Sequence, residues 1–276
     1  CQLMNQKKTS VDSQWLSSRL DDPKVVVVDC RFKLSDPNWG EEQYNKSHIR
    51  GAYYLNLDRD LSGEVKSHGG RHPLPDPNIL AQKLANMGIV KHETLVVAYD
   101  DSRFAFASRL WWLLRYLKQD RIVLLNGGWD DWLQHNCPVD NIIPENKSGS
   151  FSPQPNSDWL VDIDGVKSAQ NKDGVVLVDS RSRDRYLGLI EPIDPIAGSI
   201  EGAINSPSKQ VSDESGYLKH QEIQQQLWQD YQDVEEIIVY CGSGVTACVN
   251  LLSLAMAGIE NTKLYPGGWS DWCSYL

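Results

Sequence analysis

Cys241 is the residue whose surroundings suggest chemistry. It closes an apolar run at 237–240 and is followed by Gly242, Ser243, Gly244, Val245 and Thr246, where a helical pattern over 246–257 begins. In an open parallel sheet, sites form at the carboxyl ends of strands. Two glycines let such a loop curl and turn main-chain N–H groups inward. The helix N-terminus adds unpaired donors and positive potential. Both effects favour a thiolate over a thiol, and Ser243 and Thr246 offer hydroxyl donors. The reading is an anion cradle built from Gly242, Gly244, Val245 and Thr246 with a nucleophile at its base. The competing reading is an inert thiol at a strand end ahead of a capped helix.

The other five cysteines, Cys1, Cys30, Cys137, Cys248 and Cys273, lack such a setting. No two cysteines form the paired spacing of a structural zinc site, so no metal is expected. Six in 276 residues is not a disulfide framework either. Cys248 lies about two helical turns beyond Cys241 and reads as a core thiol. A cysteine phosphatase loop would need an arginine where Ala247 stands and a histidine where Tyr240 stands, which sets that chemistry aside.

The elements that must hold Cys241 are written twice. VVVVDCR at 25–31 returns as VVLVDSR at 175–181, and HIRGA at 48–52 returns as SIEGA at 199–203. LVVAYD at 95–100 aligns with IIVYC at 237–241, and GGWDDW at 127–132 returns as GGWSDW at 267–272. The first copy carries a longer stretch between its second and third blocks, including residues 58–75. Where the second copy has Cys241, the first has Asp100. The boundaries that follow are 1–145 for the first domain, 146–157 for a linker rich in Ser, Pro, Gly and Asn, and 158–276 for the second.

Within each copy, continuous β-branched runs (25–29, 95–99, 122–125, 175–179, 237–240 and 263–265) read as strands buried on both faces. Helical periodicity spans 11–20, 79–87, 104–117, 163–170, 221–229 and 246–257. Strand–helix alternation predicts two α/β domains, each a mainly parallel sheet flanked by helices. Trp129, Trp132, Trp269 and Trp272 recur in both copies and read as core packing, and Trp111 and Trp112 as a helix face and domain interface.

A net charge of -10 disfavours nucleic acid or an anionic membrane as partner. No apolar run approaches the ~20 residues of a membrane-spanning helix. The chain begins at Cys1 without an apolar signal region, so a cytoplasmic, monomeric protein is expected, and nothing in the sequence supports lipidation of Cys1.

The CGSGVT loop, the HIRGA and SIEGA blocks, the paired strands and the GGWxxW endings together resemble the rhodanese superfamily over essentially the whole chain. The tandem form, with an inactive first domain, is similar to the thiosulfate and 3-mercaptopyruvate sulfurtransferases. The resemblance implies that Cys241 takes sulfur from a small anionic donor as a persulfide and passes it to a thiol, cyanide or protein cysteine, without a metal or organic cofactor. It also implies a relay of Ser243 with His72 and Asp58 from the first domain, and a substrate-binding arginine at Arg185. The CGSGVT loop is of the mercaptopyruvate type. Two departures keep thiosulfate open: no second arginine follows Arg185, where the stretch reads EPIDP at 191–195, and Ser199 replaces the usual histidine. Arg181, which has a counterpart at Arg31, reads as a structural ion pair. A sulfur carrier with little turnover is the alternative function.

Overall fold

The computed structural model describes residues 8–276, so Cys1 lies outside the described residues. The first half runs β1 (Ser10–Val11), α1 (Ser13–Ser17), β2 (Val25–Asp29), α2 (Trp39–Lys46), β3 (His48–Ile49), β4 (Tyr53–Tyr54), α3 (Pro77–Asn86), β5 (Leu95–Tyr99), α4 (Ala107–Tyr116), β6 (Ile122–Leu125), α5 (Gly128–Gln134) and β7 (Val139–Asp140). The second runs α6 (Ile163–Ala169), β8 (Val175–Asp179), α7 (Arg183–Tyr186), β9 (Ile204–Asn205), α8 (Gln221–Leu227), β10 (Glu236–Tyr240), α9 (Ala247–Met256), β11 (Thr262–Leu264) and α10 (Gly268–Cys273).

Each half is a parallel sheet, ordered β1-β6-β5-β2-β4 in the first and β11-β10-β8-β9 in the second. A single parallel bridge between Leu160 and Leu264 stands where β1 pairs with β6 in the first half. Alternate strand residues feed opposite faces. In the first half Val27, Val97 and Val123 pack with Trp129 and Trp132 on the outer side, a core that the second half repeats around Ile238, Tyr240 and Trp269. The inner faces drain into one continuous core that crosses between the halves through α4 and α9. Trp111 and Trp112 belong to it, and Trp112 approaches Trp159 of the second half. Among the described residues, no helix is long and apolar enough to cross a membrane.

Local signals explain where several elements begin. Asp76 accepts from the N–H groups of Asn78 and Ile79, with Pro77 in the first turn of α3. The helix expected over 11–20 is confined to Ser13–Ser17, because Asp12 caps it and leaves Ser10 and Val11 free to pair with Leu124 and Leu125. α2 is polar enough (GEEQYNK) to lack a clear apolar stripe. The expected linker at 146–157 is laid along the first half. Lys147 N–H reaches Asn86 O, Gly149 N–H reaches Ala85 O, Ser150 pairs with Val90, and the Phe151 ring is buried.

The duplicated blocks meet in one buried network per half. Asp29 takes a two-pronged contact from Arg31 and a hydrogen bond from Tyr99 Oη at 2.6 Å, and Tyr99 Oη accepts from Ile49 N–H. Arg31 also donates to Ser47 O and lies 4.2 Å from the Trp129 ring centre. Asp179, Arg181, Tyr240, Ile200, Gly198 and Trp269 repeat the arrangement. All four repeated motifs thus serve to pin the turn after each central strand.

The halves also clasp each other reciprocally through the ends of these motifs. From the first half, Gly69 N–H donates to Asp271 Oδ1 and His68 stacks on Tyr275. From the second, Tyr217 Oη donates to Asp131, and Leu218 N–H donates to Asn126 Oδ1. Asp131 and Asp271 occupy the same place in GGWDDW and GGWSDW.

Arg31→Met strands the Asp29 carboxylate in the core. It is expected to lower the unfolding free energy in urea by about 3–5 kcal/mol. A loss within about 1 kcal/mol, as for an exposed pair, would show that the network does not hold the turn.

Candidate active site

Cys241 sits at the carboxyl end of β10, and its side chain is buried. Its Sγ accepts the Gly244 N–H at 3.1 Å. The loop is fastened from outside by α10: Trp269 N–H donates to Cys241 O at 2.8 Å, and Ser270 N–H to Gly242 O at 2.9 Å. Gly244 has φ +76°, and a Cβ there would meet Pro266 O at 2.4 Å, so only glycine closes the loop. Val245 is buried beneath it. Thr246 precedes α9 in helical conformation and makes no side-chain capping bond.

The first half contains an internal comparison. At the end of β5, Asp100 accepts N–H bonds from Ser102, Phe104, Phe106 and Ala107 at 2.8–3.1 Å. Trp129 N–H fastens Asp100 O as Trp269 fastens Cys241. Burial pushes the Asp100 carboxyl up and these four N–H groups pull it down, so a loop of this kind does wrap an acidic group with main-chain donors. In the first half the anion is built in; in the second the position belongs to a thiol.

Ser243, His72 and Asp58 are brought together across the halves. Ser243 Oγ lies 2.7 Å from His72 Nδ1, and Asp58 Oδ1 lies 3.1 Å from His72 Nε2. His72 is buried, whereas Asp58 reaches solvent. Burial, with the Arg109 and Arg71 cations nearby, pushes the His72 imidazole down to about 3. It is therefore neutral at pH 7. With Asp58 ionised, Nε2 carries the proton toward Asp58, and Nδ1 is left to accept from the Ser243 hydroxyl.

Arg185, on α7, lies at the mouth of the loop and is held by Glu191 at 3.0 Å and Asp194 at 3.2 Å. The sequence reading missed its companion. Arg71, adjacent to His72 and contributed by the first half, also pairs with Asp194. A Cβ on Gly242 would stand 3.0 Å from Arg71 Nη2 and 3.5 Å from Arg185 Nη2. The absent side chain thus leaves room for two guanidinium groups beside the cysteine. The EPIDP stretch, which has no second arginine, supplies the carboxylates that fix both of them. Its adjacency to His72 was the one signal that could have found Arg71. Cys248 is fully buried, with its Sγ donating to Gly244 O, and burial pushes its thiol up to about 12. Arg181 and Arg31 are spent on the structural network above.

The rhodanese-like domain family matches residues 12–135 and 162–275. The chain is 40% identical to the "Probable 3-mercaptopyruvate sulfurtransferase" of Pseudomonas aeruginosa over 265 residues, covering 94% of this chain and 93% of that one. It is 28% identical to the thiosulfate sulfurtransferase of Rattus norvegicus over 275 residues, covering 95% and 91%. Among solved structures, the 3-mercaptopyruvate sulfurtransferase from Leishmania major superimposes with a TM-score of 0.84 at 26% identity, covering 99% of this chain and 76% of that one.

The depressed His72 value has a consequence for stability. Between the ordinary imidazole value and about 3, the unfolded chain binds a proton at His72 that the folded chain does not. The contribution is complete above the ordinary value and is lost as pH falls toward the folded one. Stability of the wild type in urea is expected to decline through this window more steeply than that of His72→Gln. Parallel pH profiles for the two proteins would overturn the assignment.

Proposed function

The chain belongs to the rhodanese-like domain family in its tandem sulfurtransferase form, and on that premise we propose that it moves sulfur from 3-mercaptopyruvate through a Cys241 persulfide to a thiol, cyanide or protein-cysteine acceptor. The observation that carries this reading is the contact of Ser243 with His72, which brings a proton relay from one half beside the nucleophile loop of the other.

The chemistry follows from the groups present. The Cys241 thiolate attacks the donor sulfur. The S–S bond forms as the donor's C–S bond breaks, and the electron pair leaves with carbon as the enolate of pyruvate. The donor's thiol proton ends on that carbon, giving pyruvate and a persulfide anion. In the free site the His72 imidazole, at about 3, is a weak base; an anionic donor held by Arg71 and Arg185 offsets the nearby cations and raises it, so that it accepts and returns the proton through Ser243. The persulfide anion is then held by main-chain donors of the loop, as the Asp100 carboxylate is held in the first half. Arg71 and Arg185 suit the donor's carboxylate. In the second step an acceptor thiolate or cyanide attacks the outer sulfur and Cys241 leaves as thiolate, so the cycle closes without a redox partner.

Thiosulfate would leave as sulfite, a stable anion that needs no proton, so the relay has work to do only for the keto acid. His72→Ala is therefore expected to lower kcat/KM for 3-mercaptopyruvate by about 10²–10⁴-fold and to leave transfer from thiosulfate unchanged. Equal losses with both donors would reject the relay. Cys241→Ser is expected to abolish turnover and the gain of one sulfur atom seen by intact-protein mass spectrometry. Sulfur loading without multiple turnover in the wild type would instead identify a carrier.

A further inference from the structure

Arg109 is a fully buried arginine on α4, in the half that lacks the nucleophile. Its guanidinium donates only to main-chain carbonyls. Nη1 reaches Gly244 O at 2.8 Å, in the Cys241 loop. Nη2 reaches His72 O at 2.9 Å and Pro73 O at 3.3 Å. Nε and Nη2 share Leu61 O at 3.2 and 3.0 Å. Among the described residues no carboxylate forms an ion pair with it.

An arginine buried without a counter-ion is costly, and its location is specific. The ionisable groups that feel its charge are Cys241 and Cys248, from the Cys241 loop and α9, and His72, from the insertion of the first half. Counted from the helix starts at Ala107 and Ala247, the equivalent position in the second half is Val249, an ordinary core residue. The cation is thus present only in the copy from which it can reach across to the thiol.

We propose that Arg109 is a positioning residue of the sulfur-transfer site: it ties the 58–75 insertion, at Leu61 and at His72–Pro73, to the Gly244 carbonyl of the Cys241 loop, so that His72 meets Ser243. This rests on the reading of Cys241 as the sulfur-accepting thiolate. Lysine keeps the charge but cannot span these four carbonyls as a planar fork does.

The test uses the full chain. Steady-state kcat and KM for 3-mercaptopyruvate read the relay, transfer from thiosulfate is measured beside them, and the His72 imidazole 15N shifts report its contact with Ser243. For Arg109→Lys, kcat for 3-mercaptopyruvate is expected to fall about tenfold with KM unchanged, thiosulfate transfer retained and the His72 shifts displaced. A wild-type kcat, unchanged His72 shifts, or equal losses with the two donors would overturn the positioning duty. Sulfur loading of the wild type is measured alongside. If the wild type takes sulfur from neither donor, the sulfurtransferase reading fails, while the His72 shifts still decide the role of Arg109.

Discussion

Everything in this active site depends on the face-to-face packing of α4 on α9. The Cys241 loop hangs from the start of α9, and His72 and Arg71 arrive beside it from the other half of the molecule. A hydrogen bond such as Ser243–His72 tolerates little slippage between its partners. Two domains joined only by a flexible connection would not hold it. The apolar core continues through the helix pair, and the 146–157 segment is tied down along the first half. Together they fix where the Cys241 loop meets the insertion of the first half.

Duplication explains the division of labour. Each copy needs the buried Asp–Arg–Tyr network to shape the turn after its central strand, and both retain it. Only one copy needs a reactive anion. In the other, Asp100 fills the loop with a carboxylate that four main-chain N–H groups already satisfy. The 58–75 insertion of that half meets the Cys241 loop of the other through His72 and Arg71.

The strands and the repeat were readable because continuous β-branched runs and duplicated motifs are local signals. Cys241 was readable because a cysteine between a strand and a glycine-bearing helix start has few structural reasons to be there. His72 and Asp58 came from resemblance; nothing local to RHPLP or LNLD demands a relay. Arg71 and Arg109 were not readable for a common reason. Each works through contacts distant in sequence, Arg71 on Asp194 and Arg109 on Gly244, Leu61 and His72, and Arg109 is embedded in a helix (ASRLWWLLRY) where a charge looks like the solvated edge of an apolar face. The over-long first helix had a different cause: apolar spacing ran through Val11, but the Asp12 cap takes precedence over periodicity.

The reciprocal clasp has a topological consequence. Each half grips the other at the same aspartate of its repeated ending, Asp131 in one direction and Asp271 in the other. Neither grip depends on the two halves belonging to the same polypeptide. The halves are thus matched by contacts running in both directions, in addition to the tethered segment between them.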